Sequence, residues 1–323
     1  QGAAAQRRYL YAPRSMQLLV IAPDDFGALE LLRREAPGME LAIGTTAQAL
    51  RPHAARAEAV LIAPRYGAVL TELWRDLGKV RWMHTLAAGV EFLPFDLLQR
   101  STITVTNSRG LYADALGEFA ITAMLWFAKD LHRMIRNQEL RRWEPFTVER
   151  LEGQTVGIIG YGGIGQAVGR RAAALGMRML AVGRRQEAGD PTLEEVLAQS
   201  DYIVLCAPLT PSTRGLLSRE RIALMKSSAV FINIGRGGTV DEPALIEALR
   251  DHRLRGAALD VFATEPLPSD HPFWQLDNVL VSPHTADHTS DADVRATQFF
   301  IENLRRFRAG ESLENVVDKN EQY

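Results

Sequence analysis

Three segments in the second half of the sequence carry polar residues directly after short apolar runs. They span 231–241, 258–268 and 281–287, and together they hold an arginine, carboxylates and a histidine. A histidine side chain has an ordinary pKa of about 6.5, so it can donate a proton near neutral pH. An arginine offers a planar fork of donors that can hold a carboxylate and polarise a neighbouring carbonyl group. Because ligands bind beyond the carboxyl ends of strands in an open parallel sheet, we expect these groups to converge on one ligand.

A glycine-rich turn lies upstream of these segments. It reads Gly160-Tyr161-Gly162-Gly163-Ile164-Gly165 and stands between an apolar run and a segment of helical period. This order of strand, turn and helix is typical of a dinucleotide-binding βαβ unit. Gly160 permits the tight turn, Gly162 lets the backbone approach a pyrophosphate, and Gly165 lets helix and strand pack closely. The alternative, a glycine turn of purely structural use, is disfavoured by the correct flanking segments.

The residues after the next apolar run, 178–182, bear on the choice of dinucleotide. An acidic residue about 20 positions past the glycines would hold a ribose 2′-hydroxyl group. Gly183 stands there instead, and Arg184 and Arg185 follow it. Glycine leaves room for a 2′-phosphate, and the two guanidinium groups can bond it as charged donors, so this segment predicts binding of NADP, with NADPH preferred over NADH. The alternative is that the two arginines form a solvated turn.

Composition excludes several classes of partner. The chain has 323 residues, 46% of them hydrophobic and 24% charged, which is enough for two globular domains with a full core each. The formal net charge is −2 and the basic residues are dispersed, so we expect neither a nucleic-acid surface nor a membrane-surface patch. No stretch reaches the roughly 18 apolar residues of a membrane span. The partner predicted by this composition is a small molecule.

The single cysteine indicates the compartment. Cys206 lies inside an apolar run and cannot form an intrachain disulfide, which suits a reducing compartment and predicts a cytoplasmic protein. We interpret this cysteine as a buried, inert thiol. The first 16 residues have no hydrophobic signal core. The opening residues 1–5 are interpreted as the remnant of an expression tag.

Apolar runs alternate with helical or turn segments along the whole chain. The runs are 17–22, 58–63, 80–86 and 103–106 in the first half, and 155–159, 178–182, 202–206, 229–234, 257–261 and 279–282 in the second. This alternation predicts an α/β protein with two doubly wound parallel-sheet domains. A helical pattern over 114–142 has a wide apolar face and is expected to bury against a domain, a partner subunit or both. A final helix over 291–307 is expected to cross back to the first domain.

These motifs, taken in chain order with one further run, resemble the D-isomer-specific 2-hydroxyacid dehydrogenases over nearly the whole chain. The further run is Ala207-Pro208-Leu209-Thr210-Pro211-Ser212-Thr213-Arg214-Gly215, between the glycine turn and the three polar segments. The resemblance implies a catalytic trio of Arg236, Glu265 and His284, with His284 as the proton donor and Glu265 fixing its tautomer. Further cofactor contacts are implied at Pro208, Thr213, Ile234 and Asp260. The carboxylate of Asp260 would bind the nicotinamide carboxamide, although a buried aspartate that bonds local backbone would look the same.

The same resemblance implies substrate contacts and a domain plan. Ala88 and Gly89 belong to a loop whose backbone N–H groups would bind the substrate carboxylate. Arg65 would reach the substrate as well, with a solvated loop arginine as the alternative. Residues 1–110, completed by a C-terminal helical segment 288–323, would form a flavodoxin-like substrate-binding domain. Residues 111–287 would form a Rossmann NADP-binding domain, and the chain would be a homodimer.

The implied activity is NADPH-dependent reduction of small 2-oxo acids to D-2-hydroxy acids, as in glyoxylate and hydroxypyruvate reductases, with no metal. Two alternatives remain open, a dehydrogenase of the same fold for phosphoglycerate or phosphite, and a dinucleotide-sensing corepressor-like interaction protein. One stretch departs from the family pattern. Asp287 and His288 stand where the family often has small residues after the histidine. We interpret them as a cap of the final helix, with a role in shaping the pocket as the alternative.

Overall fold

The computed structural model describes residues 16–184 and 187–323, which form two compact units. The described part of unit 1 runs from Met16 to Arg109 and from Asp293 to Tyr323, and unit 2 spans Gly110–Ala292. The assignment of one unit to substrate and the other to cofactor stays a prediction. The interpretation of residues 1–5 and the role of Arg185 lie outside the described residues.

The elements alternate between strand and helix in both units. The strands are β1 Met16–Ile21, β2 Met39–Gly44, β3 Ala57–Ile62, β4 Trp82–Thr85, β5 Thr104–Asn107, β6 Thr155–Ile159, β7 Arg178–Val182, β8 Tyr202–Leu205, β9 Val230–Asn233, β10 Gly256–Leu259 and β11 Val279–Val281. The helices are α1 Leu29–Glu35, α2 Ala47–Ala54, α3 Gly67–Leu73, α4 Phe95–Leu98, α5 Ala113–Ala128, α6 Leu131–Glu139, α7 Gly163–Ala174, α8 Leu193–Gln199, α9 Arg219–Ile222, α10 Glu242–Arg250 and α11 Ala292–Ala309. Within the described chain, none of these helices combines the length and apolarity that crossing a membrane requires.

The sheet of unit 1 has the strand order β2-β1-β3-β4-β5, and its strand pairs are parallel. This is the flavodoxin-like order. The sequence analysis missed β2, and the reason lies in its short apolar run. Glu40 and Gly44 leave only three consecutive apolar residues in this edge strand, Leu41, Ala42 and Ile43, and Ala42 is its one buried residue. Helix α11 belongs almost wholly to this unit, where Phe300 stacks on Trp82 at 5.1 Å between ring centroids.

The sheet of unit 2 has the order β11-β10-β9-β8-β6-β7, again with parallel pairs. Helices α5 and α7 cover one face of this sheet, and α8 and α10 cover the other. The predicted fold class, two doubly wound parallel-sheet domains of flavodoxin-like and Rossmann type, is confirmed. From β6 the chain adds β7 on one side and then β8 on the other, so the order of strand addition reverses between β6 and β8. Open α/β sheets bind ligands at the carboxyl ends of the two strands at such a point.

Two expectations about helices are wrong. The pattern over 114–142 forms two helices, because Asp130 adopts a left-handed conformation with φ 50° and its carboxylate caps α6 by accepting from the Arg133 N–H. Helix α11 begins at Ala292, so the residue directly before it is Asp291, and neither Asp287 nor His288 is positioned to cap it.

Candidate active site

The arginine, the carboxylate and the histidine of the predicted trio follow three neighbouring strands of unit 2. Arg236 comes three residues after β9, Glu265 follows β10, and His284 follows β11. Strands β9, β10 and β11 pair in this order and in parallel, so their carboxyl ends share one edge. The structure therefore brings these chain segments together, as the sequence pattern predicts.

A hydrogen bond joins two members of the trio. Nδ1 of His284 lies 2.7 Å from Oε2 of Glu265, and about a third of each side chain is exposed, 36% and 33%. Because Nδ1 faces the carboxylate, this nitrogen carries a proton, and Nε2 is the ring nitrogen that remains for a ligand. A ligand can reach the ring because the pair is only partly buried.

The electrostatic surroundings favour the charged form of both side chains. The hydrogen bond that His284 donates to Glu265 raises the pKa of His284 above its ordinary value, with burial and the charge of Arg236 opposing this shift and Asp260 adding to it. Partial burial by itself raises the pKa of Glu265, but the bonds from His284 and from the Phe262 N–H outweigh it, so the pKa is lowered. The pair is thus an imidazolium beside a carboxylate over a wider pH range than either group alone would be.

Arg236 is held by its own backbone and by two buried neighbours. Its carbonyl oxygen accepts from the Asn233 amide at 3.3 Å and from the Thr239 hydroxyl, and both residues are almost fully buried. Nη1 of Arg236 donates to the Gly235 carbonyl at 2.7 Å. Asn233 also accepts from the Gly235 N–H, so it fixes both ends of the turn. The sequence analysis missed Asn233 and Thr239.

Glycines on both sides of Arg236 allow backbones to approach closely. A Cβ at Gly237 would overlap the carbonyl group of Phe262, and one at Gly235 would lie 2.8 Å from the Ala207 carbonyl oxygen. Any other residue at position 237 would push the Arg236 turn away from the turn that carries Glu265. Gly237 therefore sets the spacing between the two charged side chains.

Asp260 is 1% exposed and organises the turn after His284. One of its oxygens, Oδ1, accepts from the Ser282 hydroxyl at 2.6 Å and from the N–H groups of Thr285 and Ala286 at 2.9 and 3.2 Å. His284 itself adopts a left-handed conformation with φ 53°, which this bonded turn holds in place. The structure thus shows Asp260 in a local structural role, and its contact with a nicotinamide stays a prediction.

The glycine turn follows β6 and begins α7. Gly160 has φ 97°, and a Cβ there would lie 2.7 Å from the Ala207 nitrogen. A Cβ at Gly165 would overlap the Gly160 carbonyl oxygen, so only glycine allows the helix to start this close to the strand. Gly162 stands directly before the first residue of α7, Gly163, and Ile164 follows it in the first turn. The first N–H groups of a helix have no partner within it, so those at the start of this 12-residue helix can bind a ligand beyond the turn.

The buried thiol of Cys206 lies against this turn. It donates to the Gly160 carbonyl oxygen at 2.9 Å, and burial raises the pKa of Cys206 to about 12. The interpretation as a buried thiol is confirmed, and its inertness stays a prediction.

The other predicted cofactor residues lie around the same sheet edge of unit 2. Gly183 directly follows β7 and is partly buried, and Arg184 is exposed. Thr213 closes its loop by donating to the Pro208 carbonyl, and Ile234 is buried at the end of β9. Their roles toward a cofactor stay predictions. Among residues 16–184 and 187–323, no group of three or more His, Cys, Asp or Glu is arranged to hold a metal ion.

The predicted substrate residues belong to unit 1. Ala88 and Gly89 are partly exposed and follow β4, and the Ala88 carbonyl accepts from the Asn107 amide at 2.7 Å. The Ser108 N–H holds the preceding carbonyl in the same way. Sequence reasoning missed Asn107, which fixes the loop from the neighbouring strand β5. Arg65 is exposed and has φ 76°, a conformation that arginine rarely adopts.

Comparisons with known proteins agree with this fold. A family model described as D-isomer specific 2-hydroxyacid dehydrogenase, NAD binding domain, matches residues 121–286. The chain is 34% identical to a glyoxylate reductase of Pyrococcus furiosus over 265 residues, which cover 77% of this chain and 79% of that protein. It is 32% identical to a D-3-phosphoglycerate dehydrogenase of Methanocaldococcus jannaschii over 94% of this chain, but it spans only 59% of that protein. A solved D-isomer specific 2-hydroxyacid dehydrogenase of Xanthobacter autotrophicus Py2, in complex with NADPH and MES, is 31% identical and superposes with a TM-score of 0.80 over 96% of this chain and 100% of the other.

The spacing set by Gly237 can be tested with a neighbouring glycine as the control. We expect Gly237→Ala to lower the free energy of unfolding by about 1–3 kcal/mol, because its Cβ overlaps rigid backbone. Gly238 lies beside Gly237 in the short 3₁₀ helix Gly237–Thr239. The Cβ of Gly238→Ala would meet the Leu209 side chain, which can move, so we expect a loss of less than about 1 kcal/mol. Urea unfolding of both variants measures the difference. Equal losses would contradict the role assigned to Gly237.

Proposed function

This chain belongs to the family of D-isomer specific 2-hydroxyacid dehydrogenases, and on that premise we propose that it reduces glyoxylate, hydroxypyruvate or similar small 2-oxo acids to D-2-hydroxy acids with NADPH. The family membership makes the chain an oxidoreductase that binds a nicotinamide dinucleotide. The observation that carries the finer proposal is the His284–Glu265 pair, which lies one strand away from the turn that carries Arg236.

The glycine turn fits a dinucleotide. Gly160 and Gly165 let strand β6, helix α7 and the neighbouring backbone lie close together, because a Cβ at either position would overlap backbone atoms, and the start of α7 offers N–H groups to a pyrophosphate. Pro208, Thr213, Ile234 and Asp260 are proposed to hold the nicotinamide half. Gly183, Arg184 and Arg185 are proposed to bind the 2′-phosphate.

The trio divides the chemistry among three side chains. A nicotinamide cofactor, when bound, would supply the hydride for the carbonyl carbon of the acid. His284 is placed to donate the proton on Nε2 to the carbonyl oxygen, which would otherwise carry a full negative charge. Glu265 keeps the imidazole charged and oriented until that proton leaves, and Arg236 holds the carboxylate and polarises the carbonyl. Ala88, Gly89 and Arg65 are proposed to bind the substrate.

A substrate panel tests this proposal directly. We expect NADPH oxidation with two- and three-carbon 2-oxo acids and little with their esters, because the carboxylate is the group that is held. Arg236→Lys should lower kcat/KM for every acid by a factor that corresponds to about 2 kcal/mol or more of activation free energy, since lysine cannot bond a carboxylate through two donors. Efficient reduction of an ester or a neutral aldehyde, with Arg236→Lys unaffected, would contradict the carboxylate contact.

The phosphoglycerate dehydrogenase relative favours a second candidate substrate. A 2-oxo acid that carries a phosphate group at its far end therefore belongs in the same panel. Preference for that acid over glyoxylate and hydroxypyruvate would select the second candidate.

The proton donor has a pH signature. Reduction needs the imidazolium, so the rate should fall as the pH rises through the raised pKa of His284. Glu265→Gln removes the largest cause of that shift, so the fall should move to lower pH. His284→Ala should lower kcat by about 10²–10⁴ while NADPH still binds, as fluorescence titration can measure. Unchanged turnover by His284→Ala would exclude this residue as the acid.

The choice of cofactor can be reversed at the end of β7. A charged bond to the 2′-phosphate contributes roughly 1.5–3 kcal/mol, so we expect NADPH to be preferred over NADH by about one to two powers of ten in kcat/KM. Gly183→Asp combined with Arg184→Ala should reverse this preference, because the new carboxylate repels phosphate and accepts from a ribose hydroxyl. Equal efficiency of the unmodified protein with both cofactors would contradict the proposal.

We also propose a homodimer formed through unit 2. Helix α6 exposes Met134 and Ile135, and the segment after it exposes Leu140 and Trp143, the latter with 96% of its surface accessible. Such a cluster of apolar side chains is typical of an interface. Light scattering at micromolar concentration should give twice the 35.8 kDa chain mass.

The cytoplasm is the proposed compartment. Its support is the reduced, buried Cys206, the single cysteine of the sequence.

A further inference from the structure

A second histidine–carboxylate pair lies directly behind the Glu265 turn. We propose that Glu242 and His271 are positioning residues, which fix the backbone of residues 262–265 and thereby hold the Glu265 carboxylate against His284. This inference rests on the proposed role of His284 as the proton donor.

Glu242 binds two groups from different parts of the chain. It is the first residue of α10, and its Oε2 accepts from the Ala263 N–H at 3.0 Å. Its Oε1 lies 3.2 Å from Nε2 of His271. The two side chains are only 16% and 15% exposed, so solvent competes little for these bonds.

The two carboxylates hold successive N–H groups of one turn. Oε1 of Glu265 accepts from the Phe262 N–H at 2.9 Å, and Glu242 accepts from the next N–H, that of Ala263. The Glu265 carboxylate therefore closes its own turn while its other oxygen, Oε2, faces His284. Rotation of the Ala263 peptide would turn Glu265 away from the imidazole, and the bond to Glu242 opposes that rotation.

The tautomer of His271 follows from its second contact. Its Nδ1 accepts from the Phe273 N–H at 3.4 Å, so this nitrogen is unprotonated and Nε2 carries the proton that is donated to Glu242. The ring also packs on Phe273 at 4.9 Å between centroids. A chain of hydrogen bonds thus runs from the Phe273 backbone through His271, Glu242 and the 262–263 backbone toward Glu265.

Two substitutions at His271 separate these contacts. His271→Gln places an amide nitrogen near the position of Nε2 and keeps the bond to Glu242, while it loses the bond at Nδ1. His271→Asn keeps an acceptor near Nδ1 for the Phe273 N–H and cannot reach Glu242. Glu242→Gln is a third variant, because its amide can accept from Ala263 but would present a second donor to His271.

The primary readout is the titration of the His284 ring, followed by NMR on the cofactor-free protein and assigned by the signal that His284→Ala lacks. The charged groups that face this ring are Glu265, Arg236 and Asp260, and none of them is altered in the variants. We expect His271→Asn and Glu242→Gln to lower the pKa of His284 by about half a unit or more, and His271→Gln to leave it nearly unchanged.

Kinetics supply the second readout. With the best 2-oxo acid, His271→Asn should lower kcat by about tenfold and move the alkaline fall of the rate to lower pH, with the Kd for NADPH unchanged. His271→Gln should retain most of the turnover and the original pH profile.

Different results would contradict the positioning role of Glu242 and His271 and the proposed reduction of 2-oxo acids. A lower melting temperature in all three variants, with the pKa of His284 and the pH profile unchanged, would overturn the positioning role and leave a purely structural pair. If the unmodified protein reduced no 2-oxo acid, the proposed function would fail, while the NMR titration would still decide whether Glu242 and His271 act on His284. If His271→Asn did not fold, Glu242→Gln would decide in the same way.

Discussion

The hydrogen bond between His284 and Glu265 is the contact on which the rest of the site depends. It joins two turns that follow different strands, and each turn is held by carboxylates bonded to backbone N–H groups. Asp260 binds the turn after His284, while Glu265 and Glu242 bind the turn after β10. These carboxylates are partly or almost fully buried, and a buried polar group needs hydrogen-bond partners in place. The 2.7 Å bond therefore requires a well-ordered set of backbone donors on both sides.

Close backbone contact is the second constraint. Glycines stand where two segments meet with no room for a side chain. Examples are Gly160 and Gly165 in the glycine turn, and Gly235 and Gly237 beside Arg236. Each permits an approach that a Cβ would prevent. At these four positions the absence of a side chain lets the backbone segments around the site lie close together.

The sequence predicted what depends on local pattern. Buried parallel strands appear as continuous apolar runs, and the glycine turn has a recognisable spacing, so the fold class and the segments of the site could be inferred. Edge strand β2 could not, since Glu40 and Gly44 leave it only three consecutive apolar residues. Asn107, Asn233 and Glu242 were also missed, because each acts on backbone groups that only the folded chain brings near. The break between α5 and α6 was missed as well, because the capping bond of Asp130 is a local interaction that the helical period does not reveal.

The strand order of unit 2 separates two properties of the protein. Strand β7, which precedes Gly183, lies at one margin of the sheet, and β11, which precedes His284, lies at the other. Substitutions at Gly183 and Arg184, the residues proposed to select the dinucleotide, therefore lie the width of the sheet away from the turn that carries His284, the proposed proton donor. A change in cofactor preference made there leaves the hydrogen bond between His284 and Glu265 untouched.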